Sequence, residues 1–400
     1  MDDQLARAAL ACLVEPGNRE MWRLVAEHGP AGALDRVRAG EIPLELAATA
    51  APRMSLGDPA ELGKVALDRT VRAGGRVITP ESPEWPTRVD DLCRASRDTA
   101  SPHDRDVYPP LCLWLRGAPP LAAAAQRSVA VVGSRAATPY GQHVATELGY
   151  GLAERGWTVV SGGAFGIDAH AHRGALAAGG VTVAVLASGI DRAYPLAHAN
   201  LFERIAEDGL LLSEWPPGAA PHRYRFLIRN RLIAALTRGT VVVEAAARSG
   251  ARQTCGRARM LGRATMAVPG PVTSAMSVGT HQILRTLEGR LVTSAAEVVE
   301  EVGSIGDDLA PLPRGRERDR DRLGATLAQV LDGVPARAGT GPEEIAATAG
   351  VALRIAMRAL PALEAAGFVL RDDAGWRLAP ADDHLRAGTG APPDTPTGRA

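Results

Sequence analysis

Between residues 128 and 302, short apolar runs recur without alternating polar positions: 129–132, 158–160, 181–186, 210–212, 240–243 and 265–268. Uninterrupted runs of this length predict strands buried on both faces, as in a parallel sheet. The intervening segments, such as 140–155 and 226–238, have the length of crossover helices. Repeated βα units predict an α/β fold with a doubly wound parallel sheet and right-handed crossovers. Upstream, residues 5–13 and 21–29 space their apolar positions near i, i+3, i+4 and stop at Pro16-Gly17 and at Gly29. They predict small packed helices over residues 1–75. Residues 75–120 are irregular and rich in proline (Pro83, Pro86, Pro109, Pro110), the pattern of an extended arm leading into the core.

A charged linker occupies 303–323, ending in alternating arginines and acids. Beyond it a helix starts at 327–331, a second runs from 343 through a turn to Leu363, and 368–371 with 375–378 form a hairpin around Asp372-Asp373-Ala374. Helix, turn, helix and hairpin predict a winged helix over 324–380. Its would-be recognition helix offers Arg354 and Arg358 as cations, and such modules contact either DNA or protein. Residues 381–400 are rich in Pro, Gly and Thr and are expected to be disordered.

Composition changes this picture in few places. A length of 400 residues suits two or three domains, and an apolar fraction of 46% is that of an ordinary globular protein. Lys64 is the one lysine, so the positive charge is almost all arginine. GC-rich coding accounts for such a bias, which leaves position, rather than number, as the informative quantity. Residues 223–263 hold ten arginines and one acid, Glu244, in a chain of zero formal net charge. Guanidinium forks fit phosphate oxygens, so local gathering of this kind points to phosphate or nucleic acid. The alternative is a solvated helix face that pairs with acids elsewhere. Cys12, Cys93, Cys112 and Cys255 lie far apart with no C-x-x-C spacing, which predicts neither a metal site nor a disulfide framework. The N-terminus lacks the features of a signal peptide, and no run approaches the ~18 apolar residues of a membrane helix. A cytoplasmic chain without metal or cofactor is expected.

In open α/β sheets, ligands sit beyond the carboxyl ends of the strands. The first turn there is Gly133-Ser134-Arg135, where glycine admits a close ligand, the side chains add a hydroxyl and a charge, and a helix N-terminus follows. It is not G-x-G-x-x-G, so the dinucleotide fingerprint is missing. The second, Ser161-Gly162-Gly163-Ala164-Phe165-Gly166-Ile167-Asp168, suits either backbone amides facing phosphate or tight packing of strand on helix. The third is Ser188-Gly189-Ile190-Asp191 followed by Tyr194-Pro195; the fourth, after Glu244, is Arg248-Ser249-Gly250. Between these two lies 223–231, where Tyr224 and Phe226 among arginines allow base stacking beside phosphate pairing. Arg229 and Arg231 are alternatively anchors to Glu244 or Asp168, with one of the two expected to be structural.

The set Gly133-Ser134-Arg135, Gly162-Gly163-Ala164 with Gly166-Ile167-Asp168, His170 and His172, Tyr194-Pro195, Ser213-Glu214, Phe226 through Arg231 and Val268-Pro269-Gly270 resembles the DNA-processing protein A family, DprA or Smf. The resemblance runs in order over about 75–302 and extends more weakly to the flanking modules. It implies an extended Rossmann-like core over 76–302 and an N-terminal module of the SAM or helix-hairpin-helix type over 1–75. It further implies a non-enzymatic, homodimeric protein that binds single-stranded DNA, protects incoming strands and loads the recombinase RecA in natural transformation or recombination. The DNA-binding residues it implies are Gly133, Ser134, Arg135, Gly162, Gly163, Arg223, Phe226, Arg229, Asn230, Arg231, Ser249 and Gly250. Arg135 and Arg223 would meet phosphate and Phe226 a base. Three positions depart from the family pattern: Phe165 where a basic residue is common, Arg252 where an apolar one is usual, and His281 where Asn is usual.

Two other readings stand beside it. Rossmann-like phosphoribohydrolases also carry glycine turns with Arg and Glu at strand ends, and Glu244 would then be the acid or nucleophile. Their P-G-G-x-G-T-x-x-E block is missing here. His170 and His172 lie two apart on a helix and share no face, which disfavours metal ligation. The third reading is a scaffold for dimers and partners.

Overall fold

The computed structural model describes residues 2–95, 107–304, 308–310 and 319–380. Part of the linker and all of 381–400 lie outside the described residues. The chain divides into two compact units, Met1–Pro311 and Leu312–Ala400.

One sheet organises the first unit. Its strands are β1 (Gly75–Ile78), β2 (Leu113–Arg116), β3 (Ser128–Val132), β4 (Thr158–Ser161), β5 (Thr182–Val185), β6 (Leu210–Ser213), β7 (Gly239–Val242), β8 (Ala264–Ala267) and β9 (Arg290–Leu291), in the order β1-β2-β6-β5-β4-β3-β7-β8-β9. From β6 to β9 every pairing is parallel, whereas β2 joins β6, and β1 joins β2, antiparallel. The six apolar runs of the sequence are β3 to β8. Residues 75–120 are not wholly an irregular arm, because their two ends pair with each other to form β1 and β2. That pairing is long-range, and nothing local in either four-residue segment announces it.

Four helices precede the sheet: α1 (Asp3–Leu13), α2 (Arg19–Ala39), α3 (Leu44–Met54) and α4 (Pro59–Arg72). Gly29, at φ 70°, breaks α2 into two pieces end to end. Leu10, Leu13, Met21, Leu34, Val37 and Leu46 form their shared core. A seam of Val77, Cys112, Trp114 and Ile190, with Ala11 and Leu67 against it, fastens them to the sheet edge.

The remaining helices are α5 (Asp91–Ala95), α6 (Leu121–Gln126), α7 (Pro139–Glu154), α8 (Ile167–Ala177), α9 (Ala199–Asp208), α10 (Arg225–Leu236), α11 (Gly250–Met260), α12 (Val278–Arg285) and α13 (Ala295–Val302). Alternate residues of β3 serve opposite layers, as the pleat requires. Ala130 and Val132 face Leu232, Ile233 and Leu236 of α10 with Ala251 and Cys255 of α11. Val129 and Val131 face Leu148 and Leu152 of α7, Ala171 of α8 and Val298 of α13. Starting at β3, the chain builds β4, β5 and β6 to one side, then returns to build β7, β8 and β9 on the other. Adjacent connections diverge at such a switch point, leaving a crevice at the carboxyl ends of β3 and β7.

The second unit holds α14 (Ala325–Asp332), α15 (Pro342–Ala349), α16 (Leu353–Ala365) and an antiparallel hairpin of β10 (Val369–Asp372) with β11 (Gly375–Leu378). Val330, Ile345, Leu360, Leu363, Val369 and Trp376 make its core, and Thr340 bridges to Trp376 beside the hairpin.

Candidate nucleic-acid interface

The switch-point crevice is a cavity of about 920 Å3. Its walls come from the turn after β3 (Gly133 to Ala136), the turn after β7 (Arg248-Ser249-Gly250) and the start of α10 with the segment before it (Arg223, Phe226, Asn230). Three helices begin around it, and their N-termini differ. The amide and hydroxyl of Thr138, the N-cap of α7, donate to the two oxygens of Glu244 at 2.9 and 2.6 Å. That carboxylate neutralises the positive end of α7 from within the protein. α10 and α11 have no acid in their first turns, and α10 has no side-chain cap. Around these two helix starts stand Arg135, Arg223 and Arg248, all exposed. Placing cations beside helix N-termini is unfavourable unless an anion joins them.

Aromatic groups sit inside this charge. The ring of Phe226 is half-buried, with the Arg135 guanidinium carbon 4.9 Å from its centroid and Tyr194 at 5.5 Å, tilted by 49°. The phenylalanine face is thus framed by a cation and a second ring, an arrangement suited to a stacked base beside its phosphate. Asp168 is the one acid lining the cavity, and it is buried. Burial pushes its pKa up, while the Arg229 charge and the amides of Ala164 and Gly162 pull it back.

The twelve residues expected from sequence separate into two groups. Arg135, Arg223, Phe226, Asn230, Ser249 and Gly250 meet at the cavity, with Gly133 and Ser134 on its wall. Gly250 faces open space where a Cβ would stand. The Ser249 hydroxyl caps α11, accepting from the Ala251 amide at 3.3 Å. The Ser134 amide donates to the Glu244 carbonyl at 2.7 Å, so it serves the fold.

Gly162, Gly163 and Arg231 lie outside the cavity lining, whereas Arg229 reaches it from within the core. A Cβ on Gly162 would lie 2.1 Å from the Arg229 guanidinium, and one on Gly163, at φ +66°, would lie 2.4 Å from the Phe202 ring. The Gly162 amide donates to Asp168 at 3.1 Å. Tight packing, not an approaching phosphate, therefore accounts for both glycines. Arg229 is buried; its guanidinium donates to the Gly162 carbonyl at 2.8 Å and also to the Val185 carbonyl, tying α10 to the ends of β4 and β5. Burial draws its pKa down to about 10, opposed by Asp168. Arg231 pairs at 2.8 Å with Glu214, and both are almost completely enclosed. Arg231 is structural, and the acid facing it is Glu214 instead of Glu244 or Asp168; Arg229, beside Asp168, braces the fold and also lines the crevice.

The family model of DNA recombination-mediator protein A matches residues 76–303. A putative DNA processing protein DprA of Mycobacterium tuberculosis is 45% identical over 393 residues, covering 98% of this chain and 97% of that protein. The chain belongs to the DprA/Smf family. Protein Smf of Escherichia coli is 40% identical over 210 residues, covering 50% of this chain and 56% of that one. The X-ray structure of DprA from Streptococcus pneumoniae superposes with a TM-score of 0.61 at 29% identity, spanning 76% of this chain and 99% of that chain.

The three departures of this DprA/Smf member from the family pattern have local explanations. Phe165 stands edge-on to His198 at 4.7 Å, outside the cavity lining. Arg252 donates to the Ala247 carbonyl at 2.8 Å and braces the turn before α11. His281 meets the Gly270 carbonyl through Nε2 at 3.0 Å. His170 and His172 point apart, toward Thr146 of α7 and Thr182 of β5. Among the described residues no group of His, Cys, Asp and Glu is arranged to hold a metal, and no single helix is long and apolar enough to cross a membrane. The expected set left out Arg248 and Tyr194; their turns were visible in sequence, but only the fold brings both to one cavity.

Proposed function

We propose that the crevice binds single-stranded DNA and that the chain acts in DNA processing, protecting incoming strands and loading RecA during transformation or recombination. One observation carries the reading: two helix N-termini without acids, and three exposed arginines, surround a half-buried phenylalanine. Phosphates satisfy the helix ends and guanidiniums, and a base freed from a duplex stacks on Phe226. Gly133, Ser134, Arg135, Arg223, Asn230, Ser249 and Gly250 form the contact set, with Phe226 as the stacking platform. The names of the relatives support DNA processing as the setting. The phosphoribohydrolase reading loses its acid, because both oxygens of Glu244 are held by Thr138.

The same reading takes 1–75 as a SAM-like module, 76–302 as the DNA-binding core, 303–323 as a linker and 324–380 as a winged helix. Three helices followed by a hairpin support the last assignment, and Arg354, Met357 and Arg358 lie on its third helix. The working form is a cytoplasmic homodimer.

Fluorescence anisotropy of a labelled single-stranded oligonucleotide and its duplex, over a salt series, tests the core claim. The single strand should bind more tightly, with an affinity that falls as salt rises by a log–log slope of about −0.7 per phosphate contact. Arg223→Ala should weaken it and flatten that slope. Equal affinity for the duplex, or no binding at low salt, defeats the proposal.

A further inference from the structure

A second cavity, of about 350 Å3, opens between α1, α4 and the segment 215–225. One stretch of chain separates it from the switch-point crevice. Pro221 and Arg223 line the crevice, whereas Ala220, His222 and Arg225 line the second cavity. On the ridge between them, the exposed rings of His222 and Tyr224 stack with centroids 5.8 Å apart and planes 8° from parallel. Arg225 sits 6.0 Å beneath Tyr224 and is itself clamped by Glu15 at 2.7 and 3.1 Å. The ridge is thus an aromatic platform fixed from below.

The second cavity carries surplus positive charge. Arg53 and Arg225 share the single carboxylate of Glu15. Arg69 of α4 is exposed, with no acidic partner among the described residues, and its guanidinium reaches to the backbone at Gly218. Asp191 accepts the Gly218 amide through Oδ1 at 2.8 Å. A groove with a free cation, entered over a stacked aromatic pair, meets the two needs of a single strand: a π-surface for bases and a charge for the backbone.

We propose that a bound single strand leaves the crevice over the His222–Tyr224 ridge and continues into the groove beside α4, where Arg69 holds its backbone. This inference rests on the single-strand reading of the crevice and extends it to a second, contiguous binding segment formed by the N-terminal helices. Stacking along the ridge is sequence-tolerant, because every base offers a π-face. Contacts in the groove add to affinity only for strands long enough to reach it.

The test compares a six-nucleotide with a twenty-nucleotide oligothymidylate on the full chain, for wild type, Arg69→Ala, and the double variant His222→Ala/Tyr224→Ala. All three positions are exposed, and circular dichroism with a thermal melt confirms folding. The variants should bind the short oligonucleotide as wild type does and lose affinity for the long one, by about tenfold for the double variant, as expected for one stacked base. Arg69→Ala should also make the long-oligonucleotide salt slope shallower by about 0.7. Tyr224→Phe, which keeps the ring, should retain long-strand affinity. Unchanged long-strand binding in both variants overturns the extension, as does an equal loss for both lengths, which would place these residues in the crevice itself. A wild type that binds neither length overturns the single-strand reading and this inference with it. A shift in which the variants lose only a protein partner's binding assigns the groove to that partner and rejects the strand path.

Discussion

Glu244 illustrates how one residue changes meaning between sequence and structure. As the single acid in an arginine-rich stretch at the end of a strand, it has the position of a catalytic carboxylate. In the fold both of its oxygens face Thr138, and it stands where α7 needs a negative charge. Glu244→Gln removes the charge while keeping the shape. The expected result is a loss of roughly 1 kcal/mol in chemical denaturation, with single-strand affinity unchanged. A variant that loses DNA binding while its stability stays intact would contradict that assignment. The same reasoning explains why Arg229 and Arg231 were unreadable. A guanidinium carries its charge whether it meets phosphate outside or a carboxylate inside, and Glu214 belongs to a different strand end from the turns that frame the crevice. Arg135 and Arg223 stand exposed at the crevice, as a turn at a strand's carboxyl end and a segment before a helix are exposed in most arrangements of this fold.

At the scale of elements, α10 is the piece on which the site depends. Its outer start carries Phe226, with Arg223 just before it, and its inner face is bolted down by Arg229 on β4 and β5 and by Arg231 on the end of β6. Burial pushes the Glu214 pKa up, and Arg231 opposes it, so each partner alone is a costly buried charge. Arg231→Met should destabilise the protein by about 3–5 kcal/mol, and Arg231→Met/Glu214→Leu should recover most of that, as read from urea midpoints. A double variant no more stable than the single one would mean the pair does more than offset its own burial. Strands β3 to β8 were legible because burial on both faces leaves unbroken apolar runs. β1 and β2 were not, since each owes its state to the other across a long proline-rich connection. β9 is two exposed residues, with no apolar run to reveal it.

The molecule as a whole should be sensitive to acid through a buried histidine. His172 is fully buried; its Nδ1 lies 2.7 Å from the Thr182 hydroxyl, which itself donates to the Val159 carbonyl at 2.8 Å. The hydroxyl proton being used there, Nδ1 carries the imidazole proton, and Nε2 has no partner among the described residues. Burial drops the pKa from 6.5 to about 3. Between those values the unfolded chain binds a proton that the folded one refuses, so stability is complete above the upper value and declines as pH falls. From pH 7 to pH 5 the loss should be on the order of 2 kcal/mol, and His172→Gln should flatten the profile. An unchanged slope in the variant would place the acid sensitivity elsewhere.

The Glu15 clamp joins two events that look separate. Its carboxylate holds Arg53 of α3 and Arg225 at the start of α10, and it accepts the Trp215 indole N–H at 2.8 Å. Burial opposes ionisation of Glu15, but the hydrogen bonds from Arg225 and Trp215, with the charges of Arg225 and Arg53, hold its pKa below the usual carboxylate range. The N-terminal helices and the ligand-facing end of α10 are therefore in thermodynamic linkage. If a ligand seated against 223–226 tightens the hold on α1 and α2, any change that unseats those helices weakens the ligand by the same factor. Slower amide hydrogen exchange around Glu15 on adding ligand would reveal that reciprocity.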